Sequence, residues 1–268
     1  PPAEAVRLLD DFLTRLAARE LPVFLISGNH DSAERVAFGS RLMSSRQIYL
    51  SPVFESDVEP ITISDRYGEI NIYMLPFVKP SLVKRVYPEE EIITYQDAVN
   101  AAVQHMQIDT DKRNILLAHQ FVTGAARCDS EELSVGGVDD VDAAVFEGFD
   151  YVALGHLHGA QYVSRPKIRY CGTLLKYSVS ESTQTKSLTV VTLKEKGEKP
   201  EIACYPLHPL RDVRKKKGTL EEIIKEAGEE EKEDYISITL TDEIDPYKPK
   251  EQLERVFSHI LEIRVDNQ

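Results

Sequence analysis

The side chains best suited to chemistry in this sequence stand where apolar runs stop. The run 23-VFLI-26 leads into Gly28-Asn29-His30-Asp31, 115-ILLA-118 leads into His119, and 150-DYVALG-155 leads into His156-Leu157-His158. Imidazole exchanges a proton near neutral pH, and its neutral form lends a nitrogen lone pair to a metal ion. Read singly, each motif has a plain explanation. His119 is an ordinary polar residue after a strand, and Asn29 a turn residue. His156 and His158 form a polar loop in which alternate side chains share one side of an extended chain. Open α/β sheets, however, bind ligands at the carboxyl ends of their strands. Three such ends in one chain are therefore expected to converge on one site. His105, in a helix, His208, between Leu207 and Pro209, and His259, in the last helix, read as structural.

The elements that must position these groups follow from periodicity. The opening 1-PPAEAVRLLDDFLTRLAARE-20 sets Leu9, Phe12, Leu13 and Leu16 on one helical face, with prolines where a helix tolerates them. Residues 21–27 read as a fully buried strand, 32–44 as a helix and 47–50 as a short strand. Residues 61–64 and 69–75 read as a hairpin around Arg66-Tyr67-Gly68. A helix near 96–106 precedes the strand 115–118, and a short helix near 142–146 precedes the strand 150–155. Continuous apolar strands alternating with helices imply a layered α/β arrangement.

Beyond Gly155, strands at 168–171 and 187–193 suggest a second sheet. The basic run 211-RDVRKKKG-218 reads as a linker, followed by helix 220–227, strand 235–241, helix 250–260 and strand 261–265. Residues 1–200 are expected to form one domain and 201–268 a small α/β appendage. A doubly wound domain normally opens with a strand, and this chain opens with a helix, so its first strand or strands are expected to be missing.

Composition excludes little else. The formal net charge of −13 is uneven: residues 219–268 hold 15 acids and 6 bases, and residues 1–218 hold 30 acids and 26 bases. Charge thus neither supports nor excludes a polyanionic substrate. No apolar run approaches the ~20 residues of a membrane helix, and the first residues do not resemble a signal peptide. Cys128, Cys171 and Cys204 are odd in number and scattered, which points to reduced thiols in a cytoplasm.

With these motifs the sequence resembles the calcineurin-like metallophosphoesterases, through GNHD, a lone histidine after a later strand, and GHLH. Within them, 26-ISGNHDSAER-35, 117-LAHQFVTGA-125, 134-SVGGVD-139, 149-FDYVALGHLHGAQ-161 and 168-IRYCGTLLKYSVSE-181 are similar to the bacterial SbcD nuclease subunits. The resemblance implies a layered α/β sandwich with a small α/β capping domain, and two divalent ions, Mn²⁺ or another metal. It implies that Asn29, His119 and His156 hold one ion and His158 the other. His30 would serve as acid toward the leaving alkoxide, with Asp31 fixing its ring tautomer. The implied activity is Mn-dependent hydrolysis of DNA phosphodiesters: a double-strand exonuclease and hairpin endonuclease of recombination, replication and repair. The implied partners are an SbcC-type ATPase, double-stranded DNA ends and hairpins, and a second copy of the nuclease subunit. Weak candidates for DNA contacts are Arg165, Lys167, Arg169 and Lys176, whose plain reading is solvated loop charge.

The sequence departs from that family in one respect. An Asp-x-His and a Gly-Asp motif, with the carboxylate that bridges both metals, are expected upstream of GNHD, and residues 1–27 carry neither. The chain is therefore expected to be an internal portion of a longer protein, inactive alone. Two other readings compete: a phosphoesterase for phosphomonoesters or cyclic nucleotides, and a non-catalytic interaction module on the same fold.

Overall fold

The computed structural model describes residues 2–127, 140–243 and 247–266, so Cys128 and the 134-SVGGVD-139 motif lie outside the described residues. The chain opens with α1 (Ala3–Ala17) and β1 (Val23–Leu25), followed by α2 (Ala33–Val36), α3 (Ser40–Met43) and β2 (Ile48–Leu50). β1 and β2 pair in parallel as a two-stranded sheet. Next come β3 (Ile61–Asp65), β4 (Gly68–Leu75), α4 (Pro80–Val86), α5 (Tyr95–Gln104), β5 (Arg113–His119), β6 (Tyr151–Gly155), β7 (Gln161–Val163) and β8 (Arg165–Tyr170). These six strands form the central sheet in the order β3-β4-β5-β6-β8-β7, parallel at its centre, with β3 and β7 antiparallel at its edges.

Alternation along the central strands divides their side chains between two faces. Tyr73, Leu75, Leu116, Ala118, Val152 and Leu154 enter the main core with Ala98, Val99, Ala101 and Ala102 of α5 and with Phe146 and Phe149. Thr94 and Asp97 start α5 with a capping box, each side chain satisfying the other's backbone N–H. The opposite face, Ile70, Ile72 and Met74 with Ile115 and Leu117, packs against Phe24 and Ile26 and against Tyr49 of β2. Register then levels the carboxyl ends: Leu75 lies opposite Ala118, and His119 opposite Gly155.

Several expectations need correction. Residues 21–27 are not a fully buried strand; β1 is three residues long and half-buried, because β2 is its single strand partner among the described residues. The helix expected over 32–44 breaks after Val36, and Gly39, with a φ of +76°, stands at the N-cap of α3. Of the apolar face of α1 only Leu13 is buried, while Leu9 and Phe12 are exposed. The strand at 168–171 belongs to the central sheet as β8; the separate ribbon is β9 (Ser187–Thr192) with β10 (Glu201–Pro206).

The basic run is not a linker. It forms β11 (Val213–Gly218), an edge of a parallel three-stranded sheet with β12 (Tyr235–Leu240) and β13 (His259–Val265). Lysine stems tolerate an edge strand because their ammonium groups reach solvent or a partner; Lys216 meets Glu231 at 2.6 Å. Between the strands lie α6 (Leu220–Lys225) and α7 (Pro249–Leu253), whose Leu220, Ile223 and Leu253 share a second core with Ile236, Ile238, Leu240 and Phe257. α7 stops well short of residue 260. Ser258 N–H donates to Lys232 O, which turns the chain into the sheet, so His259 opens β13 and is not helical. His105 caps α5, stacked 3.9 Å from the Tyr87 ring and bonded to Glu90, which is a structural role. Among the described residues no helix is long and apolar enough to cross a membrane.

Candidate functional site

His119, the last residue of β5, lies in a slot between two glycines. A Cβ on Gly28 would stand 2.7 Å from His119 Cε1, and one on Gly155 would stand 2.8 Å from its Nδ1. The glycines of GNHD and GHLH are thus required by the ring they flank. Burial, and next the neighbouring His156, push the His119 pKa down to about 4. The ring is therefore neutral at physiological pH and able to lend a lone pair.

Three of the expected residues come together here. His119 Nε2 lies 3.0 Å from Asn29 Oδ1, and the His119 and His156 rings meet edge to face at 5.3 Å. Neighbouring ligand atoms on an ion bound at ~2.1 Å, at a right angle, are also about 3 Å apart. An amide oxygen and two imidazoles suit a borderline divalent ion, so these residues fit one on donor chemistry. They carry no negative charge. Among the described residues no group of three or more His, Cys, Asp or Glu side chains could hold a metal ion.

The other expected residues are arranged differently. His30 and Asp31 are exposed, and both charges act on His119. Gly28 N–H donates to Asp31 Oδ2 at 2.8 Å. The carboxylate therefore closes the GNHD loop, where a bond to the His30 ring was expected. His156 and His158 do not alternate on an extended chain, because β6 ends at Gly155 and His156 has a φ of +102°. That value is rare for a residue with a side chain, and such backbone strain gathers at functional sites. His158 turns to another set of neighbours: its Nδ1 lies 3.0 Å from Glu181 Oε1, and Tyr177 packs 6.0 Å away.

The basic candidates mostly serve the fold. Lys167 donates to the carbonyls of Glu147 and Phe149, Arg169 to Cys204 Sγ, and Lys176 to Ser182 O while pairing with Asp212 at 2.9 Å. Arg165 pairs with Glu147 at the surface, and both side chains stay exposed.

Comparison with known proteins gives this geometry a family. The calcineurin-like phosphoesterase family matches residues 1–160, and the type 5 capsule protein repressor C-terminal domain matches residues 206–268. Over 266 residues the chain is 34% identical to the SbcD subunit of the nuclease SbcCD from Staphylococcus epidermidis, covering 97% of this chain and 70% of that protein. The chain belongs to the SbcD family of calcineurin-like phosphoesterases. The corresponding protein of Staphylococcus saprophyticus subsp. saprophyticus is 32% identical, with 97% and 69% covered.

Three residues of this SbcD-family site were not singled out from sequence: Glu181, Lys186 and Gly172. Glu181 has no exposed side-chain area, and Lys186 Nζ meets its Oε2 at 2.6 Å. Glu181 closes the stretch 168-IRYCGTLLKYSVSE-181, but nothing in its spacing says that its carboxylate turns back onto His158. Gly172 belongs to the same arrangement. Its φ is +75°, and a Cβ there would come within 2.8 Å of the His158 carbonyl oxygen and of Ala160 N.

Proposed function

We propose that this SbcD-family chain is the nuclease subunit of an SbcCD-type complex, hydrolysing DNA phosphodiesters with divalent ions, Mn²⁺ first among them. Its partners on this reading are an SbcC-type ATPase, double-stranded DNA ends and hairpins, and a second nuclease subunit, in the cytoplasm. The convergence of Asn29, His119 and His156 at or beyond the ends of three strands supports it most, in a chain so similar to the SbcD subunit of a nuclease. Asn29, His119 and His156 would hold one ion and His158 the other. Bound divalent ions supply Lewis acidity for in-line displacement at phosphorus. His119, neutral through burial, keeps its lone pair available. His30, exposed at the rim, is assigned the proton that goes to the leaving alkoxide, assistance typically worth ~10²–10⁴-fold. Asp31 acts as a positioning residue by closing the loop that carries His30 and Asn29.

The full-length protein should cleave linear duplex DNA in Mn²⁺, with binding weakened by salt as phosphate contacts release counterions. Rapid turnover of nitrophenyl phosphate with duplex DNA untouched would sink the nuclease reading. His156→Ala and His158→Ala should each lose metal and activity together. His30→Ala should lose turnover and keep its metal. Equal metal loss in all three variants would make His30 a ligand and overturn its role as acid. The 268-residue chain alone should bind Mn²⁺ weakly, because its neutral donors offset little repulsion between adjacent cations. Calorimetry finding two tight sites in it would contradict this.

A further inference from the structure

The proposed role of His158 leaves a requirement unmet by His158 itself. An imidazole can lend a lone pair from Nε2 only when its hydrogen is on Nδ1, and something must hold it there. Glu181 Oε1 lies 3.0 Å from His158 Nδ1, and an ionised carboxylate can only accept. Glu181 is in turn held by Lys186, whose three ammonium hydrogens are shared among Glu181 Oε2 (2.6 Å), Gln184 Oε1 (2.7 Å), Thr173 Oγ1 (2.9 Å) and the His158 carbonyl oxygen (2.9 Å). The His158 side chain keeps 22% of its area exposed, against 0% for Glu181 and 5% for Lys186. A buried carboxylate and a buried ammonium thus grip one histidine at both ends, the ring through Glu181 and the backbone through Lys186.

We propose that the Glu181–Lys186 pair is a positioning device that locks His158 in the Nδ1–H tautomer and so keeps the Nε2 lone pair for a divalent cation. The inference rests on the metal role given to His158 above. Its physics makes an unusual demand on Glu181→Gln. The carbonyl oxygen of the new amide stays on the ammonium, because an NH₂ group 2.6 Å from that cation costs more than one 3.3 Å from the Tyr177 N–H, which also donates to Oε1. The NH₂ group then points at the His158 ring, Nδ1 must accept, and the hydrogen moves to Nε2. Removing the ammonium as well, in Glu181→Gln with Lys186→Met, lets the amide turn its oxygen back to the ring and restores Nδ1–H.

The test uses the metal-free 268-residue chain, with ¹⁵N-labelled histidine, in the alkaline range where the His158 nitrogen shifts no longer change with pH. The nitrogen shifts of His158 should report Nδ1–H in the parent chain, Nε2–H in Glu181→Gln, and Nδ1–H again in the double variant. Mn²⁺ titration, followed by paramagnetic broadening of the His158 ring signals, should show a midpoint raised about 10- to 100-fold in Glu181→Gln and largely restored in the double variant. An Nε2–H tautomer in the parent chain overturns the proposal, and so does Glu181→Gln with an unchanged tautomer. If Glu181→Gln does not fold with Lys186 left without its carboxylate, the parent and the charge-free double variant still decide: both must carry Nδ1–H. No readout involves DNA, so failure here is distinct from failure of the nuclease reading.

Discussion

On one side of the His119 ring, the Gly28-Asn29-His30-Asp31 loop hangs from a three-residue, half-buried strand and is closed by an exposed carboxylate. On the other side, the loop after Gly155 leaves a strand paired on both edges, and its His158 is held by Glu181, Lys186 and Thr173. Both shoulders supply ligand candidates, yet only one is braced by buried charge. Local opening tracks few buried contacts and exposed hydrogen bonds, so the GNHD shoulder should open first. His30, the group proposed to meet a leaving alkoxide, thus sits on the softer side, and the site's fixed frame is the GHLH side.

The largest effect should come from breaking the brace. Lys186→Met leaves Glu181 buried without its cation, a change that typically costs about 3–5 kcal/mol. Urea unfolding would measure it, and a loss under ~1 kcal/mol, the range of an exposed ion pair, would remove the contrast between the shoulders.

The His119 slot that joins the shoulders should make stability depend on pH. Its folded-state pKa of about 4 lies below the ordinary 6.5, so between those values the unfolded chain binds more protons than the folded one. Stability of the metal-free chain should therefore rise with pH across that window, by about 3 kcal/mol in all, and level off outside it. His119→Asn should flatten the rise. An unchanged slope in that variant would show that other groups cause it.

The two glycines allow a matched test. Gly155→Ala puts a methyl group into the ring from the rigid side and should cost about 1–3 kcal/mol, as overpacking does. Gly28→Ala meets the same ring from the soft side, where the loop can shift, and should cost clearly less. Equal costs in thermal unfolding would mean that the GNHD loop is as firmly held as β6. Asp31→Asn should be the mildest change, below ~1 kcal/mol, since an amide oxygen can still accept from Gly28 N–H. Hydrogen exchange at the Gly28 amide would detect it.

The same contrast governs what the sequence disclosed. Apolar runs ending in histidine were readable because burial writes long signals, and β5 and β6 stand where their runs do. β11 was hidden because lysine stems on an edge strand leave no apolar alternation. β1 was overread, since 23-VFLI-26 has the composition of a core strand but lacks a second strand partner among the described residues. Glu181 and Gly172 gave no local sign, because each is defined by a contact with the GHLH loop that only the folded chain makes. The fit of His119 between Gly28 and Gly155, which are well over a hundred residues apart, is likewise a property of register.

The backbone at His156 matters to anyone who would engineer this protein. Its φ of +102° is one that glycine adopts freely and histidine does not. His156→Gly should therefore unfold at a higher temperature than His156→Ala, although both lack the imidazole. At this position the chain carries a side chain that its own backbone disfavours, so thermostability and cation affinity should move in opposite directions when His156 is exchanged for glycine. A screen that ranks variants by melting temperature alone would select the glycine and discard the chemistry.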